Sequence, residues 1–195
     1  DLTQADNKVN ALSGSATGDI AYFNNGDLRV EGAPFFENLS SGGDIRLHIN
    51  GNLNIEEVLD ASAGNVFLDV TGVTSQEEGG AIKAAGLALS GGDSHPDGVG
   101  NEVGKIASNA GELFFHTYHD LEVGAVTVAD RFGNSRDIVG IDNSGSTWAR
   151  YVSSSPVFST TKYLGICTAI GTNMSASVLI SNSTRFSLNF ILDIA

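Results

Sequence analysis

Several groups of side chains in this chain have the types and spacing to do chemistry. His116 and His119, in the run His116-Thr117-Tyr118-His119, are a close histidine pair. Imidazole nitrogens are good zinc ligands, but strand residues i and i+3 point to opposite faces, so this pair converges on a metal only across a turn. Asp93 and Asp97, with Glu56, Glu57, Asp60, Glu77 and Glu78 elsewhere, carry the hard oxygen atoms that calcium takes. The Asp93–Asp97 run lacks the ligand spacing and turn glycine of an EF-hand, and turn formation competes for the same aspartates. Calcium is the one cofactor these residues bring into view. Asp130, Arg131, Arg136, Asp137 and Asp142 form a third grouping. Carboxylates beside a basic residue in a groove are what polysaccharide lyases and glycoside hydrolases use, though turn aspartates have the same composition. Asp19, Asp44, Asn65 and Glu112 each follow a glycine and read as a polar ladder on one corner. Carboxylates stacked there must splay outward or share a cation. Cys167 lies among apolar residues in LGICTAIG and reads as a small buried side chain rather than a nucleophile.

The elements that position these groups are short strands. Apolar residues alternate at Ile20/Tyr22, Leu28/Val30, Ile45/Leu47/Ile49, Leu53/Ile55, Val66/Leu68/Val70, Leu87/Leu89, Leu113/Phe115, Leu121/Val123 and Val126/Val128. Period-2 alternation puts one face inward and one outward, and no stretch carries a helical apolar stripe. Gly18-Asp19, Gly43-Asp44 and Gly64-Asn65 precede such runs at steps of 25 and 21 residues, the length of one rung of a parallel β-helix. A looser repeat joins distant segments. Asn7, Val9 and Leu12 match Asn101, Val103 and Ile106, and after a slip Gly18, Ile20, Tyr22, Asp27, Leu28 and Val30 match Gly111, Leu113, Phe115, Asp120, Leu121 and Val123. This predicts two equivalent sets of rungs. The run Ser90–Gly100 breaks the rhythm and predicts a loop protruding from a corner. Residues 130–147 are polar and turn-rich.

Beyond residue 146 the signature disappears, and the strict alternation of Phe186–Ile194 predicts a long strand. The expected organisation is residues 1–145 as parallel β-helix repeats and 146–195 as a β-rich cap or oligomerisation segment. An uncovered edge on the Phe186–Ile194 strand predicts self-association.

Composition supports this reading. The chain has 195 residues, 24 glycines, 3 prolines and 41% apolar residues, suited to strands joined by tight turns rather than to disorder. Its net charge is −13, with 22 of its 23 acidic residues in positions 1–145. Such an acidic body repels phosphate backbones, so nucleic acid is not an expected partner. No apolar run is long enough to span a bilayer, and the chain starts inside a patterned segment, as expected of a mature form or a fragment of something longer. The single cysteine forms no internal disulfide.

The signature N-x-V-x-x-[LI], G-[DE]-[IL]-x-[YF] and D-L-x-V, with GGDIRLHINGNLNI and GGAIKAAGLALSGG between its copies, covers residues 6–130. It resembles the repeats of filamentous-haemagglutinin-like adhesins and related β-strand-repeat bacterial surface proteins. The resemblance implies an all-β, right-handed parallel β-helix in an exported protein, extracellular or on the cell surface. It implies a structural or adhesive role toward a host-surface or matrix glycan or protein, and it implies no catalytic residues. The alternative expectation is a carbohydrate-active enzyme or glycan-binding module using a groove along the solenoid.

Overall fold

Coils of three faces wind this chain into an all-β parallel solenoid of about five coils. The early coils walk those faces with three short strands, the later ones with one long strand plus a short one. The computed structural model describes residues 7–117, 119–129 and 133–142, together with the backbone of 147–152 and 161–166. One face stacks β2 (Gly14–Ala16), β5 (Leu39–Ser41) and the first parts of β8 (Val58–Val70), β10 (Ala81–Gly91) and β12 (Glu102–Asn109). A second stacks β3 (Ile20–Asn24), β6 (Ile45–Ile49), the later parts of β8, β10 and β12, and β14 (Glu122–Val123). The third is a sheet in the order β1 (Ala11–Leu12), β4 (Leu28–Val30), β7 (Leu53–Ile55), β9 (Thr74–Gln76), β11 (Ser94–His95), β13 (Leu113–Thr117), β17 (Thr147–Val152), β18 (Thr161–Ile166). Pairing on this face is parallel throughout except between β17 and β18.

In-register stacking places like above like. Ile20, Ile45, Val66, Leu87 and Ile106 form one inward column, and Leu28, Leu53, Thr74, Ser94 and Leu113 form another. The members Ile45, Val66, Leu87, Ile106, Leu53 and Leu113 are fully buried. This continuous interior, about 4.8 Å per coil, is the main stabilising term, because no coil buries its apolar side alone.

The corners explain the glycine signature. Between the first and second faces, Asp19 Oδ1 accepts the backbone N–H of Asp44 at 3.0 Å, and Asp44 Oδ1 accepts that of Asn65 at 2.9 Å. Between the second and third, Asp27 Oδ1 accepts from Asn52 N–H at 2.7 Å, Asn52 Oδ1 from Val73 N–H at 2.9 Å, and Asp93 Oδ1 from Glu112 N–H at 2.9 Å. Each side chain thus reaches the next coil and fills the space where a Cβ would sit. A Cβ on Gly43 would collide with Asp19 Oδ1, one on Gly72 with Asn52 Oδ1, and one on Gly64 would come within 2.8 Å of Asp44 Oδ1. Glycine precedes the ladder residue because the coil below occupies its side-chain volume. The Asp19 and Asp44 carboxylates each accept from a backbone donor of the next coil, and Asp19 also pairs with Arg46 at 3.2 Å. Glu112 belongs to the second corner, not to the corner of Asp19, Asp44 and Asn65.

The long-range repeat does not join equivalent rungs. Ile20 lies on the second face opposite Ile45, whereas its match Leu113 lies on the third face opposite Ser94. All three faces share one inward–outward alternation, so segments align well even when they are out of phase by a side of the coil. Nor is Ser90–Gly100 a protruding loop: Ser94 and His95 form β11 between β9 and β13.

Val126 and Val128 leave the solenoid. They belong to β15 (Ala125–Ala129), which pairs antiparallel with β16 (Ser135–Val139). This hairpin folds onto the outside of the second face, where Val126, Val128 and Ile138 bury Phe67, Ala88 and Ala107. The expected division at 145/146 precedes β17, which continues the parallel stack on β13. The Phe186–Ile194 strand and Cys167 lie outside the described residues. Among the described residues no helix is long and apolar enough to cross a membrane.

Candidate interaction site

The corner from β4 to β5 is the long one. It takes residues 31–38, whereas the corner from β7 to β8 takes only Glu56 and Glu57. Its extra length is folded into a tight turn. Ala33 N–H donates to Phe36 O at 2.7 Å and Phe36 N–H to Ala33 O at 3.0 Å, with Pro34 and Phe35 at the tip. Proline pre-sets the backbone angle required at the first tip position, so the turn is rigid for its size. Phe35 is 92% exposed and Phe36 49%. Full burial of such a ring is worth roughly 1.5–3 kcal/mol, nearly all of which Phe35 forgoes and about half of which Phe36 forgoes.

Beside this turn lies a shallow, open depression of about 370 Å3, lined by Gly14, Ser15, Pro34, Phe35, Phe36, Glu37, Asn38 and Ser40. Its floor is rigid sheet. Ser15 pairs directly with Ser40 across β2 and β5, and Gly14 N–H donates to Asn38 O at 2.9 Å. Leu39, between Asn38 and Ser40, points inward and anchors the floor at 2% exposure. The site therefore combines two aromatic faces with hydroxyl, amide and carboxylate groups on a fixed base. The sequence carries a signal for it, a proline followed by consecutive phenylalanines outside any alternating run, but the site holds no cluster of titratable or metal-binding residues.

The residues singled out from sequence disperse. Arg136 and Asp137, adjacent on β16, face opposite ways: the Arg136 guanidinium lies 5.2 Å from the centre of the Phe67 ring, while Asp137 is exposed and accepts a 2.6 Å hydrogen bond from the Thr127 hydroxyl. Asp142 is exposed past the bridge of Ile141 to Ser108, its N–H donating to Ser108 O at 2.7 Å. Asp130 and Arg131 lie outside the described residues. His116 is in β13, 7% exposed, its carbonyl accepting from Asn101 Nδ2 at 3.0 Å. His119 follows the strand end, exposed, its N–H on Thr117 Oγ1 at 3.2 Å. Asp93 and Asp97 sit at opposite ends of β11, Asp93 in the corner ladder and Asp97 in the turn after His95. Among the described residues no group of three or more His, Cys, Asp or Glu is placed to hold a metal ion.

One polar pair was not anticipated. His48, 5% exposed, holds Asp69 Oδ2 at 3.2 Å through Nδ1 and sets its ring edge-on to Phe67 at 5.4 Å. The pair joins neighbouring coils, since His48 and Asp69 are register partners on β6 and β8. Inside the first full coil, burial raises the Tyr22 phenol above its ordinary pKa, and its hydroxyl donates to Asn24 Oδ1 at 3.3 Å.

No protein-family model, no curated protein and no solved structure matches the chain.

Proposed function

We propose that this chain is a structural and adhesive β-solenoid module of an exported bacterial surface protein, as its resemblance to filamentous-haemagglutinin-like repeats implies. The observation that carries the reading is the Pro34–Phe36 turn, which displays two phenylalanine rings on a rigid stack whose polar corner groups are consumed in holding coil to coil. Paired exposed aromatics on a fixed base are a contact surface, and contact is the function a solenoid with engaged carboxylates serves best. The exported location follows from the same resemblance and fits the acidic surface, which keeps such a body soluble.

Beads coated with the chain and flowed over surfaces bearing extracellular-matrix extract test this. Retention well above that on bare surfaces is expected, with most of it lost on replacing Phe35 and Phe36 by serine. Retention no better than on bare surfaces, or release of reducing or unsaturated sugar ends from polysaccharides by the chain, would overturn the reading in favour of no adhesion or of catalysis.

A further inference from the structure

We infer that the depression beside the Pro34–Phe36 turn is a binding subsite for a neutral glycan, an assignment that rests on the adhesive reading and names its partner class. A pyranose has one face of C–H groups and a rim of hydroxyls. The C–H face is weakly positive and settles on an aromatic ring, whose face is negative. Phe35 and Phe36, 92% and 49% exposed, offer such rings among the residues that line the depression. Each sugar hydroxyl both donates and accepts, and so needs mixed partners. The lining supplies them: the Ser15 and Ser40 hydroxyls, the Asn38 amide and the Glu37 carboxylate.

Other occupants fit less well. A purely apolar partner would strip water from these four polar groups and leave them unpaired, which costs more than the two rings return. An anionic glycan would meet Glu37 inside the depression and a chain of net charge −13 around it. The base is organised before any ligand arrives. Ser15 and Ser40 are register partners on adjacent strands, and reciprocal hydrogen bonds close the turn beside them. A preorganised, shallow site suits a short run of sugars approached from the side, with modest affinity per site and gain from repeated display.

Calorimetric titration of the whole chain with cellohexaose, maltoheptaose, xylohexaose and mannohexaose tests this, with oligogalacturonate as the anionic control. Saturable binding of at least one neutral oligosaccharide is expected, with none of the oligogalacturonate. Phe35→Ala and Phe36→Ala should each weaken that binding about three- to tenfold. Both variants should keep the wild-type thermal midpoint, since neither ring is in the core. The inference is overturned if no neutral oligosaccharide of the panel binds, or if both alanine variants bind as the wild type does. Periodate treatment of the matrix surface separates this from the adhesive reading. Bead retention that survives glycan oxidation, yet still needs Phe35 and Phe36, keeps adhesion and overturns the glycan. Tight binding of an oligo-arginine peptide that is abolished by Glu37→Gln would do the same, assigning the site to a basic protein segment.

Discussion

Glycine and aspartate act as one unit in the corners. Because Asp19 Oδ1 occupies the place of a Gly43 Cβ, Gly43→Ala should destabilise by about 2 kcal/mol or more. In an Asp19→Ala background the same change should cost far less, the coupling in a double-mutant cycle measured by urea denaturation being on the order of 1 kcal/mol. Additive costs would show that the aspartate does not fill that space. Thr74 makes the opposite prediction. It is fully buried in a column otherwise led by leucines, and its Oγ1 meets no hydrogen-bonding group. Thr74→Val, which exchanges the hydroxyl for a methyl of the same shape, should raise the urea midpoint, corresponding to about 1 kcal/mol. A lowered midpoint would mean that the hydroxyl is satisfied after all. Tyr22 adds a pH dependence. Its folded pKa is raised by burial above the usual value of about 10, so the unfolded chain ionises first. Its contribution is complete below about pH 10 and is lost as pH rises through the folded value. Between pH 8 and 11 the thermal midpoint of the wild type should therefore fall more steeply than that of Tyr22→Phe.

Among the elements, the β15–β16 hairpin shows how an alternating run can leave the solenoid. Val126 and Val128 alternate like a rung, but with Ile138 they meet Phe67, Ala88 and Ala107 from outside, where β10 and β12 present alanine outward. Val126→Asp places a carboxylate in that contact and should cost about 2–4 kcal/mol, the range for disrupting a buried apolar cluster. Hydrogen exchange should then quicken in β15 and β16 while β6 and β7 keep their protection. Uniform loss of protection would mean that the hairpin is integral to the coils. Such an element was only partly legible. The alternation of Val126 and Val128 was plain, but nothing local to a strand says whether its apolar side faces a solenoid interior or exterior. Likewise Ser94-His95 hid as a loop, because its rung spends its inward position on serine rather than on an aliphatic residue.

Across the whole molecule, stability should be close to a sum of coils and their interfaces, since each coil pairs only with its neighbours and the hairpin alone spans three of them. Leu53, fully buried between Leu28 and Thr74, belongs to an interior coil, the second of about five. Leu53→Ala should cost about 2–5 kcal/mol and broaden the unfolding transition, as the parts on either side become less coupled. A sharp single transition at lower temperature would show that the coils unfold as one unit.

The amino-acid sequence by itself determined that the chain is all-β, that its strands are short and that they recur at about one coil, because inward–outward alternation and Gly-Asx corners are local patterns. The same locality made the long repeat misleading: Ile20 and Leu113 share a pattern but not a face. Only the tertiary structure decided which corner each aspartate serves, that Arg136 and Asp137 point apart, and that Phe35 and Phe36 stand outside. Those facts depend on what lies one coil below or across a sheet, and residues some 20 apart in the chain meet there only once it has wound.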